Sequence, residues 1–112
     1  MIPVVRVKEG VLFTIIAPAG IHILSALDMV ARQSGHDLTI TSACDGEHSG
    51  PDDPHYRGEA YDIRTHDLLD KDFVLSRIKQ VLGEGQFFAL LEDRDMDNEH
   101  IHCQIKKGTT YP

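Results

Sequence analysis

At 112 residues the chain has room for one hydrophobic core and not two. Eleven basic residues against 18 acidic ones give a formal net charge of −7, and no basic patch offsets it, which argues against nucleic acid or anionic lipid as the partner. The composition, 41% apolar and 26% charged, is that of an ordinary folded domain, and the longest apolar run, Val11 to Ile16, is far short of the ~20 residues that span a bilayer.

The first ten residues lack the basic and long apolar regions of a secretory signal. Val11–Ile16 is a short apolar, β-branched run that Pro18-Ala-Gly20 ends. From Ile21 to Gln33, Ile21, Leu24, Leu27, Val30 and Ala31 recur at steps of three and four, which predicts a helix stopped at Gly35. Leu38–Ser42 alternates with period two, as a half-buried strand does.

The stretch from Asp45 to Gly58 is polar and holds three glycines and two prolines. Ordered loops of that length in so small a domain usually serve a function, so the loop is expected to wall a site, with His48 and Tyr56 facing it. Glu59–Arg64 reads as a strand. Asp70 can cap a helix from Lys71 to Leu82, whose apolar stripe ends at Gly83. Gln86–Leu91 reads as a buried strand. In the last strand, His100 to Lys106, Ile101, Cys103 and Ile105 share one face and His100, His102 and Gln104 the other. The sum is a single α+β domain over residues 1–112 with a mostly antiparallel sheet and two main helices. Cys44 and Cys103 are too few for a disulfide scaffold and are expected as free thiols.

Four of the seven histidines, His48, His55, His100 and His102, fall in the long loop or on the polar face of the last strand. Imidazole and carboxylate are the ligands zinc takes where sulfur is absent, and a catalytic site needs three of them with a position left for water. His55, Asp62 and one histidine of His100-Ile-His102 supply that set, and by spacing alone either histidine fits. Asp93-Arg-Asp-Met-Asp97 begins like a calcium loop but has Asn98 where such a loop requires glycine.

His55-Tyr-Arg-Gly58-Glu-Ala60-Tyr-Asp62 resembles the His-x-x-Gly-x-Ala-x-Asp motif of the zinc D-alanyl-D-alanine carboxypeptidases and L-alanyl-D-glutamate endopeptidases, which share a fold with the Hedgehog signalling domain. Glu99-His-Ile-His102 is similar to the family's second motif, an acid three residues before the last zinc-binding histidine. The resemblance implies a Hedgehog/DD-peptidase-like fold, a Zn²⁺ cofactor held by His55, Asp62 and His102, and Glu99 as general base. It further implies a peptidoglycan peptide containing D-residues as substrate. His100, on the ligand face, is then placed to hydrogen-bond the developing oxyanion or the zinc shell. The family's upstream Ser-Gly-Tyr-Arg pattern is replaced by Ser42-Ala-Cys-Asp45-Gly, so its substrate-binding arginine is missing, and Arg64, Arg57 or His48 is left to hold substrate. With no signal peptide, the expectation is a cytoplasmic chain, or a phage-encoded one released by lysis, acting on the cell wall. The non-enzymatic alternative is a zinc-stabilised binding module of the same fold.

Overall fold

The computed structural model describes residues 2–46 and 50–111. Among them, five strands form one sheet: β1 (Val5–Val7), β2 (Leu38–Ser42), β3 (Ala60–Arg64), β4 (Phe87–Glu92) and β5 (His100–Ile105). Their order across the sheet is β1-β2-β3-β5-β4. Three of the pairings are antiparallel, and β1 runs parallel to β2, so the expected mostly antiparallel sheet is a mixed one with a parallel edge.

Two helices, α1 (Pro18–Ser34) and α2 (Lys71–Leu82), cover one face of the sheet. Pro18 opens α1, where a missing N–H costs nothing, and Gly35 closes it in the left-handed conformation (φ 74°), its N–H donating to the Ala31 carbonyl at 3.0 Å. The Asp70 carboxylate caps α2 by accepting from Phe73 N at 3.0 Å, as its place before the apolar stripe predicts. Leu27 and Val30 of α1 and Val74 and Ile78 of α2 meet Ile63 and Ile101 of the sheet in one core, where each such side chain contributes roughly 1.5–3 kcal/mol by leaving water.

The apolar run Val11–Ile16 is not a strand. It crosses the sheet end as an irregular strap. Val11 and Phe13 pack on the core while Leu12, Ile15 and Ile16 stay exposed. Its backbone is tied to Cys44 N by Leu12 O (2.9 Å) and to the Asp45 carboxylate by Leu12 N (3.1 Å). The edge strand is instead Val5–Val7, three residues long and only part-buried.

With the helices on one face, the other face of the sheet is open, and period-two alternation sends Asp62 and Arg64 of β3 and His100, His102 and Gln104 of β5 onto it. Cys44 and Cys103 are free, and burial pushes the Cys103 thiol far above its usual range, so it stays protonated and inert.

Candidate metal centre

The β3–β5 register sets Asp62 directly across from His102. His55 comes from a single 3₁₀ turn, Pro54–Arg57, that stands at the end of β3. Asp53 starts that turn by accepting from His55 N at 2.9 Å, and Gly58 ends it at φ 70°. An added Cβ on Gly58 would meet the Ile15 carbonyl oxygen at 2.2 Å, so glycine is required both by the backbone angle and by the strap packed against it.

Three ligand atoms converge. His55 Nε2 lies 3.3 Å from His102 Nδ1 and 3.3 Å from Asp62 Oδ1, and His102 Nδ1 lies 2.9 Å from the same oxygen. The outer nitrogens settle the tautomers. His55 Nδ1 is 2.9 Å from the Ala43 carbonyl, which only accepts, so Nδ1 carries the proton and Nε2 keeps its lone pair. Gln104 donates its amide to the Ile105 carbonyl, which turns Oε1 toward His102 Nε2 at 2.6 Å and makes that nitrogen the donor. Both neutral rings therefore aim a lone pair at the space that the Asp62 carboxylate also faces.

Such a group needs a positive charge, which is either a proton on one ring or a cation. Burial works against ionised Asp62, but hydrogen bonds from His102 and His55 in their protonated forms outweigh it and hold the carboxyl well below its usual range. Burial also works against charged His102, and the contacts with Asp62 and Gln104 outweigh it, raising its pKa. His55, Asp62 and His102 are thus positioned to bind a metal ion.

A cavity of about 440 Å³ opens over this group, floored by the triad and walled by Phe88, Leu90 and Glu92 of β4 and by Asp53 of the long loop. His100 lies at its edge. Its Nδ1 donates to the Asn98 carbonyl at 2.8 Å, and its Nε2 sits 2.9 Å from Glu92 Oε1 and 3.8 Å from Asp62 Oδ1. Burial disfavours the charged ring, but Asn98 and the two carboxylates together raise its pKa.

Glu99 does not stand beside the triad as the motif implies. Its side chain points to the helix side, 3% exposed, where Oε2 accepts from Lys71 Nζ at 2.6 Å and from Asp95 N at 2.7 Å while Oε1 accepts from the Thr65 hydroxyl. The Asp95 N–H, Lys71 and Thr65 together lower its pKa to about 2. Glu99 stands one residue before β5, and its bonds to Lys71, the Asp95 N–H and Thr65 hold its carboxylate away from the triad. Besides Asp62, the carboxylates that line the cavity are Asp53 and Glu92, the latter paired with His100 across the β4–β5 register.

Of the residues expected to hold substrate, Tyr56 gives its hydroxyl to the Gly46 carbonyl (3.1 Å) and does not line the cavity. Arg57 pairs with Glu59 (2.7 Å). His48 lies outside the described residues. Arg64 lies on the site face, in a second cavity that shares Asp62 and His100 with the first. The long loop does wall the site, through Asp53 and His55. In the acidic turn after β4, Asp93 is bonded to Asn98 and Asp95 to Lys71, so these carboxylates do not converge as a calcium loop requires. No family model, curated protein or solved structure matches the chain.

Proposed function

We propose that this chain is a zinc metallopeptidase of the Hedgehog/DD-peptidase kind, hydrolysing amide bonds in peptidoglycan-type peptides that contain D-residues. The observation that carries the reading is the convergence of two lone-pair nitrogens and a carboxylate oxygen under an open cavity. Their mutual distances of 2.9–3.3 Å suit zinc, since ligands held tetrahedrally at ~2.0–2.1 Å lie about 3.3–3.4 Å apart. Calcium would want six to eight oxygens and longer bonds. The peptidoglycan substrate rests on the two sequence motifs.

His55 Nε2, His102 Nδ1 and Asp62 Oδ1 would hold the ion. The chemistry zinc supplies when bound is acidification of a water and polarisation of the amide carbonyl. Glu92, 44% exposed and on the cavity wall, takes the water's proton and returns it to the leaving amine, in place of Glu99. His100, fixed by Asn98 through Nδ1, holds Glu92 through Nε2 and so orients that carboxylate and the wall of the metal group. Phe88 and Leu90 shed water from that side of the groove.

Muropeptide digestion with mass detection tests this. Glu92→Gln is expected to keep zinc and lose turnover by ~10²–10⁴-fold, as removal of acid–base help does. Glu99→Gln is expected to weaken the fold and leave turnover of the folded chain within a few-fold, ~2–5, because its carboxylate supports the helix side and not the reacting groups. A wild type that binds zinc and cleaves nothing across a panel of D-residue peptides would leave the zinc-stabilised binding module as the correct reading.

A further inference from the structure

The two edges of the sheet are built differently. β1 is three residues long, follows Pro3 closely and carries Arg6, with Lys8 just after it, features that keep an edge from pairing. β4 is six residues long, Phe87-Phe-Ala-Leu-Leu-Glu92, runs along β5 without a bulge and holds no proline or lysine. One side of it is fixed by the ladder. Lys106 N donates to Gln86 O at 2.8 Å, one step beyond the Phe87–Ile105 pair, so residues 86, 88, 90 and 92 turn their backbone groups to β5. The N–H and C=O of Phe87, Ala89 and Leu91 therefore point out of the sheet.

Among the described residues nothing bonds to these outward groups, since β5 is the only ladder partner of β4. Phe87 and Ala89 are 2% and 5% exposed, so water reaches them little, and backbone groups so placed are rarely left unpaired. β4 is also complementary to itself. With two copies antiparallel about a two-fold axis at Ala89, Phe87 faces Leu91, Ala89 faces Ala89 and Leu91 faces Phe87, each pair exchanging both of its backbone bonds. Between them, Phe88 meets Leu90 on the open face of the sheet. The single charge of the strand, Glu92, meets neutral Gln86, so no like charges are opposed.

We propose that β4 is a self-pairing edge through which two copies of this chain join, antiparallel at Ala89, into one continuous sheet. A two-fold contact of this kind closes on itself, and the edges left are the two short, charged β1 strands. Both cavities then open on the same face. Phe88 and Leu90, which wall each cavity, are continued by Leu90 and Phe88 of the second copy into one apolar ridge between the two metal groups. The contact is short and each chain carries a net charge of −7, so pairing is weak at low salt and strengthens as salt screens the repulsion. It stands apart from the metallopeptidase reading, because it uses backbone groups on the side of β4 away from the triad.

Sedimentation equilibrium of the full chain from ~1 μM to ~0.5 mM reads the association. The mass is expected to rise from one chain to two across that range, and at lower concentration in ~0.5 M than in ~0.05 M salt. Ala89→Pro removes the central outward N–H and spares the bonds to β5. Leu90→Lys sets two cations near each other at the seam, and because Leu90 is already 37% exposed it serves where the proline variant fails to fold by circular dichroism. Both are expected to keep the mass of one chain throughout, while Val7→Lys on β1 associates as the wild type does. In the wild type, hydrogen exchange of the Phe87, Ala89 and Leu91 amides should slow ~10-fold or more as concentration rises. A wild type that keeps the mass of one chain at ~0.5 mM in both salts overturns the self-pairing and leaves the edge to a strand from another protein. A folded Leu90→Lys chain that still doubles in mass also overturns it, as does a Val7→Lys chain that no longer does.

Discussion

Gln104 shows how one side chain outside the ligand set fixes the chemistry of another. By accepting from His102 Nε2 it leaves Nδ1 as the lone-pair nitrogen next to Asp62 and His55. Gln104→Leu removes that acceptor, frees the ring to take the other tautomer, and is expected to weaken zinc affinity ~10–100-fold with the fold retained. A competition titration against a chelator reads it. Glu99 has the opposite character. Its pKa is lowered in the fold from the ordinary 4.5 to about 2, so its contribution to stability is complete above 4.5 and is lost as pH falls toward 2. Glu99→Gln should therefore melt well below wild type at pH 7, and the gap should close between about pH 4.5 and 2, a course that thermal scans at several pH values will show. The motif places Glu99 three residues from a ligand but says nothing of which way it faces. Tertiary bonds to Thr65, Lys71 and Asp95 turn it away, and no local pattern shows them. Glu92 becomes visible only once the β4–β5 register is known, because nothing local marks it from the other acids.

Among the elements, those with strong periodicity are where the sequence puts them. Leu38–Ser42 and Lys71–Leu82 have the predicted ends, and the last strand has the predicted division of faces. The N-terminal part is harder to read. Val11–Ile16 has β-branched composition, but its backbone bonds go to Cys44 and Asp45 and it joins no ladder. Val5–Val7 is a strand because β2 offers a parallel edge, a tertiary cause that three residues do not reveal. The 3₁₀ turn is packed closely against both α1 and the strap: a Cβ on Gly20 of α1 would meet Gly58 O at 2.1 Å, and one on Gly58 would meet Ile15 O at 2.2 Å. Gly58→Ala should cost about 2–4 kcal/mol, combining left-handed backbone strain with overpacking, and should lower zinc affinity as well because the displaced turn carries His55. Denaturant unfolding with and without zinc separates the two effects. The small glycine between ligands was legible from the motif; the strap it must clear was not.

For the whole molecule, two helices on one face and a bare polar face on the other give a sheet that is core on one side and groove on the other. Two members of the cavity group, Asp62 and His102, sit on paired strands inside the sheet, β3 and β5, and the third, His55, is brought to them by the 3₁₀ turn of the long loop. Because the folded state alone assembles His55, Asp62 and His102, an ion bound there stabilises the fold by linkage, ~2.7 kcal/mol at a hundredfold excess over Kd. The measurement that bears most directly on this account is zinc stoichiometry of the purified chain and of His55→Ala, Asp62→Ala and His102→Ala, alongside Glu99→Gln. The account predicts about one zinc per chain in the wild type and in Glu99→Gln, and most of it lost in each of the three alanine variants. A wild type that takes up no zinc, or three alanine variants that keep all of it, would contradict it.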